Sequence, residues 1–223
     1  MGNIPSDLKY NASSPDELAL VNGARFLGVT FIGKDNDTNS LKIDFKGTLQ
    51  SYDLLNMIEF NSTRKRMTSV VRAPNGEVIV MCKGADSILL PLLKDNKDLK
   101  NQKLIQKTIA FMDGYANVGL RTLLIVEKRI SEQEYQEWNA KYQEAANSLE
   151  NREEKLEQIA LLLEKDFQLV GSTAIEDKLQ EEVPETIRLI RDAGIKLWVL
   201  TGDKIETAIN IGYSCQLLEK EMD

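Results

Sequence analysis

"APNGEVIVMCKGAD", residues 73–86, determines the architecture of the longer, N-terminal part of the chain. Its Asn75-Gly76 pair lies between two apolar runs, which is the strongest short signal for a β-hairpin. Strand-like runs occupy residues 29–33, 41–46, 49–60, 66–73, 78–83 and 119–129. Most are joined by short connections. Because sequential strands joined in this way pair antiparallel, the pattern predicts an antiparallel sheet.

Helical patterns accompany these strands. One helix is expected to begin after Ser14, which can cap it, with Pro15 and Glu17 in its first turn. A second is expected over 101–117. A third should follow Ser131, which forms a capping box with Glu134. The apolar periodicity around 156–163 predicts a fourth. Helices beside an antiparallel sheet define an α+β domain.

The pattern changes near residue 167. Residues 167–175 resemble a buried strand, 180–194 a helix, 195–200 a second apolar strand and 204–218 a second helix. This alternation is typical of a parallel α/β sheet, so we expect a partial Rossmann-like βαβα segment. The predicted organisation is therefore a flexible lead over 1–13, one domain over 14–166, and a partial second domain over 167–223.

Composition excludes several classes of function. The 223 residues carry a formal net charge of −7 and include no histidine. An acidic chain is a poor nucleic-acid binder, so we expect no nucleic-acid partner. The absence of histidine excludes Ser-His-Asp and Cys-His catalysis and most zinc and haem sites. Cys82 and Cys215 show no pairing pattern and are interpreted as reduced, buried thiols.

Thr201-Gly202-Asp203 follows the apolar run "LWVL" and precedes a helical pattern. In open α/β sheets, ligands bind at the carboxyl ends of strands, and helix N-termini favour anions. Gly202 would let a phosphate approach closely, and Thr201 adds a hydroxyl donor. The alternative is an ordinary strand-to-helix turn in which Asp203 caps the helix.

A second group of candidates lies in the first domain. Phe60 could stack on an aromatic base, or it could be a core residue. Lys83 ends a buried strand, where a lysine is costly to bury without an anion. Arg121 could fork onto a phosphate, or it could pair with a carboxylate. Glu17 could contact a ligand or only stabilise its helix.

The basic stretch "STRKRM" follows Phe60 closely. If it is a strand, Arg64 and Arg66 lie on one face and Lys65 on the other. Two interpretations remain open for this stretch: a cationic cluster near an anionic ligand, and a solvated strand edge protected by charge. An aromatic ring, a lysine, an arginine, a carboxylate and a phosphate loop together suit a nucleotide, but no residue stands out as a covalent catalyst.

Five motifs carry a resemblance to a known family: "SPDELAL", "EFNSTRKRMTSVV", "CKGAD", "GLRTL" and "AIEDKLQEEVPETIRLIRDAGIKLWVLTGDKIETAINI". In this order and at this spacing, the sequence resembles the P-type ATPases over nearly its whole length. "SPDE" and "RKRM" favour the phospholipid-flippase class over cation pumps. The resemblance implies a nucleotide-binding domain followed by part of a haloacid-dehalogenase-like phosphorylation domain.

The resemblance also implies roles for the candidates, which are all cofactor-binding rather than catalytic. Phe60 would stack on adenine, with Glu17 and Lys83 lining the same pocket. Arg121 would reach toward the phosphates. Thr201, Gly202 and Asp203 would meet the far end of ATP. Cation pumps have an arginine at the position of Ser62, so only a weak role is expected there.

The family's Asp-Lys-Thr-Gly-Thr motif carries the aspartate that is phosphorylated, and we expect it to precede this chain. The Gly-Asp-Gly-x-Asn-Asp motif, which binds Mg²⁺, is expected to follow it. On this basis the chain would be a cytosolic part of an integral membrane enzyme, catalytically incomplete by itself, with no metal site of its own. Its implied partners are ATP, the other domains, phospholipid through the membrane domain, and an accessory subunit as a further candidate. The alternatives are a cation-transporting ATPase, a complete soluble phosphatase-like enzyme, and a non-catalytic interaction module.

Overall fold

The computed structural model describes residues 8–94, 98–176, 178–202 and 205–219, except for the side chain of Glu206. Within these ranges, seven strands form one sheet in the order β1-β2-β3-β4-β5-β6-β7. The strands are β1 Val29–Asp35, β2 Ser40–Phe45, β3 Thr48–Ile58, β4 Arg66–Arg72, β5 Val78–Gly84, β6 Arg121–Ile130 and β7 Gln168–Ile175. Each of the first five strands pairs antiparallel with the next.

The hairpin predicted at Asn75-Gly76 is confirmed. The pairing of β4 with β5 starts at Arg72 and Val78. The turn is closed by the amide of Ala73, which donates to the carbonyl of Glu77 at 2.9 Å. Gly76 has φ +84°, a left-handed conformation that glycine adopts without steric cost. The predicted antiparallel sheet flanked by helices is therefore confirmed.

The helices follow the capping signals closely. They are α1 Pro15–Phe26, α2 Asp86–Leu89, α3 Leu99–Asn117, α4 Glu132–Ala146, α5 Arg152–Leu163, α6 Val183–Asp192 and α7 Ile205–Ser214, with a 3₁₀ turn at Leu90–Leu92. The hydroxyl of Ser14 accepts from the amide of Glu17, and that of Ser131 from the amide of Glu134. Both predicted N-caps are confirmed.

The helices α4 and α5 cover one face of the sheet. Side chains alternate along a strand, so Val70, Val80 and Val126 share this face, and all three are fully buried. On α4, the hydroxyl of Tyr135 donates to Asn56 on β3 at 2.9 Å. The indole of Trp138 donates to the carbonyl of Ile159 at 2.9 Å, which ties α4 to α5.

The C-terminal pattern differs from expectation in one element. The first predicted strand and both helices form, but residues 195–200 adopt no regular structure. The predicted strand there is wrong. Trp198 and Leu200 are 82% and 94% exposed. A parallel strand needs a neighbouring strand for its backbone hydrogen bonds. The strand β7, which was expected to be that neighbour, lies beside β6 in the seven-stranded sheet.

The chain divides into two compact units. The described residues between Met1 and Asn96, with Leu124–Gly171, form the first, and those of Lys97–Leu123 with Ser172–Asp223 form the second. The boundary predicted near residue 166 concerns functional domains, and it stays a prediction, as does the flexible lead. No helix in the described ranges is both long and apolar enough to cross a bilayer. Both cysteines are buried and free.

Candidate functional site

Three predicted binding residues of the first unit lie at one end of the sheet. Ile58 on β3 pairs with Thr68 on β4, which pairs with Cys82 on β5. The carboxyl ends of β3 and β5 therefore lie two strand spacings apart, about 10 Å. Phe60 follows β3, and Lys83 follows Cys82. This end of the sheet is called the nucleotide edge below.

Glu17 and Lys83 are brought together at this edge. The ammonium of Lys83 lies 2.5 Å from both carboxylate oxygens of Glu17. The two side chains are 35% and 27% exposed. Because Lys83 and Cys82 alternate along β5, Lys83 lies on the face opposite the one covered by α4 and α5. The helix α1 thus supplies a carboxylate to the second face of the sheet.

Phe60 lies in the loop between β3 and β4. Its ring is 61% exposed, so the interpretation of Phe60 as a core residue is wrong. The side-chain carbonyl of Asn61 accepts from the amides of Thr63 and Arg64 at 3.0 and 2.7 Å. The amide of Lys65 donates to the carbonyl of Asn61 at 2.9 Å. The loop is therefore an ordered turn that presents an aromatic surface to solvent.

Arg64 and Arg66 contradict both interpretations offered for the basic stretch. Their side chains are only 4% and 7% exposed, so they are neither a solvated edge nor a cationic surface. Arg64 pairs with Glu157 at 2.6 Å and also with Glu164, and Arg66 pairs with Glu164 at 2.6 Å. Burial lowers the pKa of Arg64, but its hydrogen bond to Glu157 and the charge of Glu164 outweigh that effect and raise it.

Glu164 and Thr68 complete this buried cluster, and neither was predicted from the sequence. Glu164 is fully buried, and its carboxylate also accepts from the hydroxyl of Thr68 at 2.5 Å. A usable signal was present: Arg66, Thr68 and Val70 alternate on the buried face of one strand. A buried arginine needs a carboxylate partner, and Glu164 directly follows the apolar helical run "IALLL".

The remaining candidates belong to the second unit. Arg121 is the first residue of β6 and is partly buried. Thr201 and Gly202 are exposed and lie in an irregular segment before α7. Asp203 lies outside the described residues. The predicted roles of these four residues stay predictions.

Two further cavities lie elsewhere in the described parts of the chain. A cavity of about 300 Å³ in the first unit is lined by mixed charges that include Lys94, Lys128, Lys165 and Asp166. A cavity of about 400 Å³ in the second unit is lined by Arg191 and residues 194–198, with Leu217. Within the described ranges, no group of three or more Cys, Asp or Glu side chains is placed to hold a metal ion.

The nucleotide edge has the chemistry of a site for a planar heterocycle. Phe60 offers an exposed ring for stacking. Glu17 offers hydrogen-bond acceptors, and Lys83 offers donors beside them. A purine with an exocyclic amino group next to a ring nitrogen presents the complementary donor and acceptor. Because the Glu17–Lys83 pair is neutral overall, it suits the base of a nucleotide better than its phosphates.

Comparison with known families assigns the chain to one of them. Residues 6–182 match the family described as "P-type ATPase, cytoplasmic domain N". The match covers most of the sequence, so the chain belongs to this family.

Individual relatives narrow the class further. The chain is 50% identical over 216 residues to the phospholipid-transporting ATPase DRS2 of Saccharomyces cerevisiae, covering 97% of this chain and 16% of that protein. It is 48% identical over 219 residues to the phospholipid-transporting ATPase DNF1 of Chaetomium thermophilum, covering 98% of this chain and 14% of that protein. The chain thus spans about one sixth or less of the length of these relatives.

Proposed function

We propose that this chain is the ATP-binding region of a phospholipid-transporting P-type ATPase, on the cytosolic side of the membrane. The observation that carries the proposal is the nucleotide edge. There, the exposed ring of Phe60 and the Glu17–Lys83 pair lie at the same end of one sheet. The relatives named phospholipid-transporting ATPases support the lipid substrate over a cation.

In this proposal, each group of the first unit has one task. Phe60 stacks on adenine, a contact worth about 1–3 kcal/mol. Glu17 accepts from the exocyclic amino group of adenine, and Lys83 donates to a ring nitrogen. Together they hold the base and leave the triphosphate free to extend away from the sheet.

Phosphate contacts are proposed for the remaining candidates on the basis of the family resemblance. Arg121 would neutralise charge on the phosphates, and Thr201, Gly202 and Asp203 would receive the far end of ATP. ATP supplies the phosphoryl group that is transferred, with Mg²⁺ as its counter-ion. The sequence contains no Asp-Lys-Thr-Gly-Thr, so transfer to an aspartate would involve another part of a longer protein. Other domains, a membrane domain that carries phospholipid, and an accessory subunit are proposed on the same basis.

Titration with ATP, followed by amide NMR, tests the proposal. We expect weak binding, with a Kd of about 0.1–1 mM. One stacking contact and a few polar contacts favour binding, whereas the net negative charge of the chain repels the triphosphate. The substitution Phe60→Ala should weaken binding about tenfold. The matched control is Phe26→Ala, since Phe26 is 89% exposed at the end of α1. It lies about 13 Å along the helix from Glu17.

Other outcomes would favour other functions. Equal affinities for wild type and Phe60→Ala would refute the stacking role. Spectra that stay unchanged at saturating ATP would favour an interaction module. Steady hydrolysis of ATP or a phosphoester by this chain alone would favour a complete soluble enzyme.

A further inference from the structure

The basic turn after Phe60 is held in place by one buried carboxylate, that of Glu164. Glu164 follows α5 as its C-terminal cap residue, and its amide donates to the carbonyl of Ala160 at 2.9 Å. Its carboxylate accepts a hydrogen bond from Nε of Arg66 at 2.8 Å and lies 2.6 Å from Nη2 of the same side chain. It also accepts hydrogen bonds from the guanidinium of Arg64 and from the hydroxyl of Thr68. Three side chains at the start of β4 therefore converge on this one residue at the end of α5.

A second carboxylate completes the anchor from a more exposed position. Glu157, about two turns earlier on α5, lies 2.6 Å from Arg64 and 3.3 Å from Arg66. Its side chain is 35% exposed, whereas that of Glu164 is 0% exposed. The two arginines and two glutamates balance in charge. Loss of the partly exposed Glu157 should therefore cost less than loss of the buried Glu164, which would leave buried arginine donors without a partner.

The anchored arginines flank the loop that carries Phe60. Arg64 is the residue whose amide closes the turn onto the side chain of Asn61. Lys65, between the two arginines, has φ +50°, and its carbonyl accepts from the amide of Ala85 at 3.1 Å. The loop is thus held by its backbone to Ala85, directly after β5, and by its arginines to α5, while the ring of Phe60 is mostly exposed. The ring is therefore carried by a loop whose arginines are tied to α5.

We propose that Glu164 is a positioning residue for nucleotide binding, which fixes the Phe60 loop through Arg64 and Arg66. This inference rests on the proposed function, because it assigns Phe60 to the base of the nucleotide. Glutamine at position 164 would keep the volume but present an amide N–H₂ to guanidinium donors. The turn would then be released from α5, and Phe60 would lose its fixed position.

A double-mutant cycle tests the inference with amide NMR titrations of ATP. In the wild-type background, we expect Glu164→Gln to raise the Kd about fivefold. In the Phe60→Ala background, the same substitution should change the Kd less than about twofold, because the ring through which it acts is absent. A residue that only supported the general fold would weaken binding equally in both backgrounds, and that result would overturn the inference.

The controls separate the inference from the proposed function. Glu132→Gln breaks the exposed Arg72–Glu132 pair at the other end of β4 and should leave the Kd unchanged. If Phe60→Ala weakens binding but Glu164→Gln does not, the positioning role is wrong while ATP binding stands. If wild type binds no ATP, the proposed function itself fails.

A milder variant covers the case in which Glu164→Gln does not fold. Glu157→Gln removes the half-exposed acid that contacts the same two arginines, and we expect it to raise the Kd about twofold, only when Phe60 is present. An equal change in both backgrounds, or no change in either, would count against the anchor.

Discussion

Cys82 lies on β5 with 1% of its surface exposed, and burial raises the pKa of its thiol from 9.0 to about 11. The folded protein therefore keeps this thiol protonated at pH values where the unfolded chain ionises it. The resulting stabilisation is fully present below pH 9 and is lost as pH rises toward 11. This difference in pKa between the folded and unfolded thiol corresponds to about 2–3 kcal/mol.

We therefore expect the stability difference between wild type and Cys82→Ala to shrink by about 2–3 kcal/mol between about pH 8 and about pH 11. Urea unfolding of both proteins at each pH measures it. Lysines and tyrosines also titrate in this range, but they are common to both proteins and cancel in the difference. A difference that stays constant with pH would show that Cys82 ionises with an ordinary pKa when folded.

At the residue scale, the sequence predicts the side chains that act locally better than those that act through distant partners. Ser14, Ser131 and Asn75-Gly76 act within a few residues of their own positions, and the sequence predicts all of them. The Glu17–Lys83 pair joins residues 66 positions apart, and the Arg64–Glu164 pair joins residues 100 positions apart. Nothing local indicates which carboxylate an arginine will contact, so both interpretations of the basic stretch were wrong.

At the scale of elements, β4 and β5 approach each other unusually closely at the nucleotide edge. A Cβ on Gly84 would lie 2.6 Å from the carbonyl oxygen of Lys65 and 2.7 Å from the Cβ of Arg66. The carbonyl oxygen of Lys65 is a backbone atom, so the backbone at the start of β4 or the end of β5 would have to move. Glycine at this position lets β5 pass beside the Phe60 loop.

We expect Gly84→Ala to destabilise the protein by about 1–3 kcal/mol, because overpacking forces the two strands apart. The matched control is Gly23→Ala in α1, where a Cβ would have nothing within 4 Å. That change should be neutral or stabilise the protein by about 0.5–1 kcal/mol. Urea unfolding compares the three proteins, and a Gly84→Ala variant as stable as wild type would contradict the close approach.

It was easier to predict that a helix or strand forms than to predict which elements lie beside it. Turn residues, caps and apolar periodicity predicted the strands β1 to β6 and the helices α1, α4 and α5. The apolar run 195–200 has the composition of a buried strand, yet strands form only where another strand supplies backbone partners. The same limit explains β7, whose position beside β6 depends on the whole sheet rather than on residues 168–175.

At the scale of the whole molecule, stability should be unevenly distributed. In β4 and β5, Val70 and Val80 are fully buried. The strand β5 is paired along its length on both sides, and β4 is paired along its length with β5 and from Thr68 to Arg72 with β3. Their amides can exchange only when the sheet opens, which costs a large part of the global free energy of unfolding. Among the described residues, by contrast, the amides of 196–200 make no backbone hydrogen bond.

Hydrogen exchange followed by mass spectrometry checks this distribution. Peptides from β4 and β5 should stay protected for hours, whereas residues 196–200 should exchange near the rate of an unfolded peptide. The segment is apolar, so self-association could hide it. The measurement is therefore made at two protein concentrations about tenfold apart. Strong protection of 196–200 at both would mean that the segment is paired within one chain, and the irregular conformation described above would be wrong. Protection that develops only at the higher concentration would instead show that a second copy pairs with it, because a strand edge gains its missing partners by adding a strand.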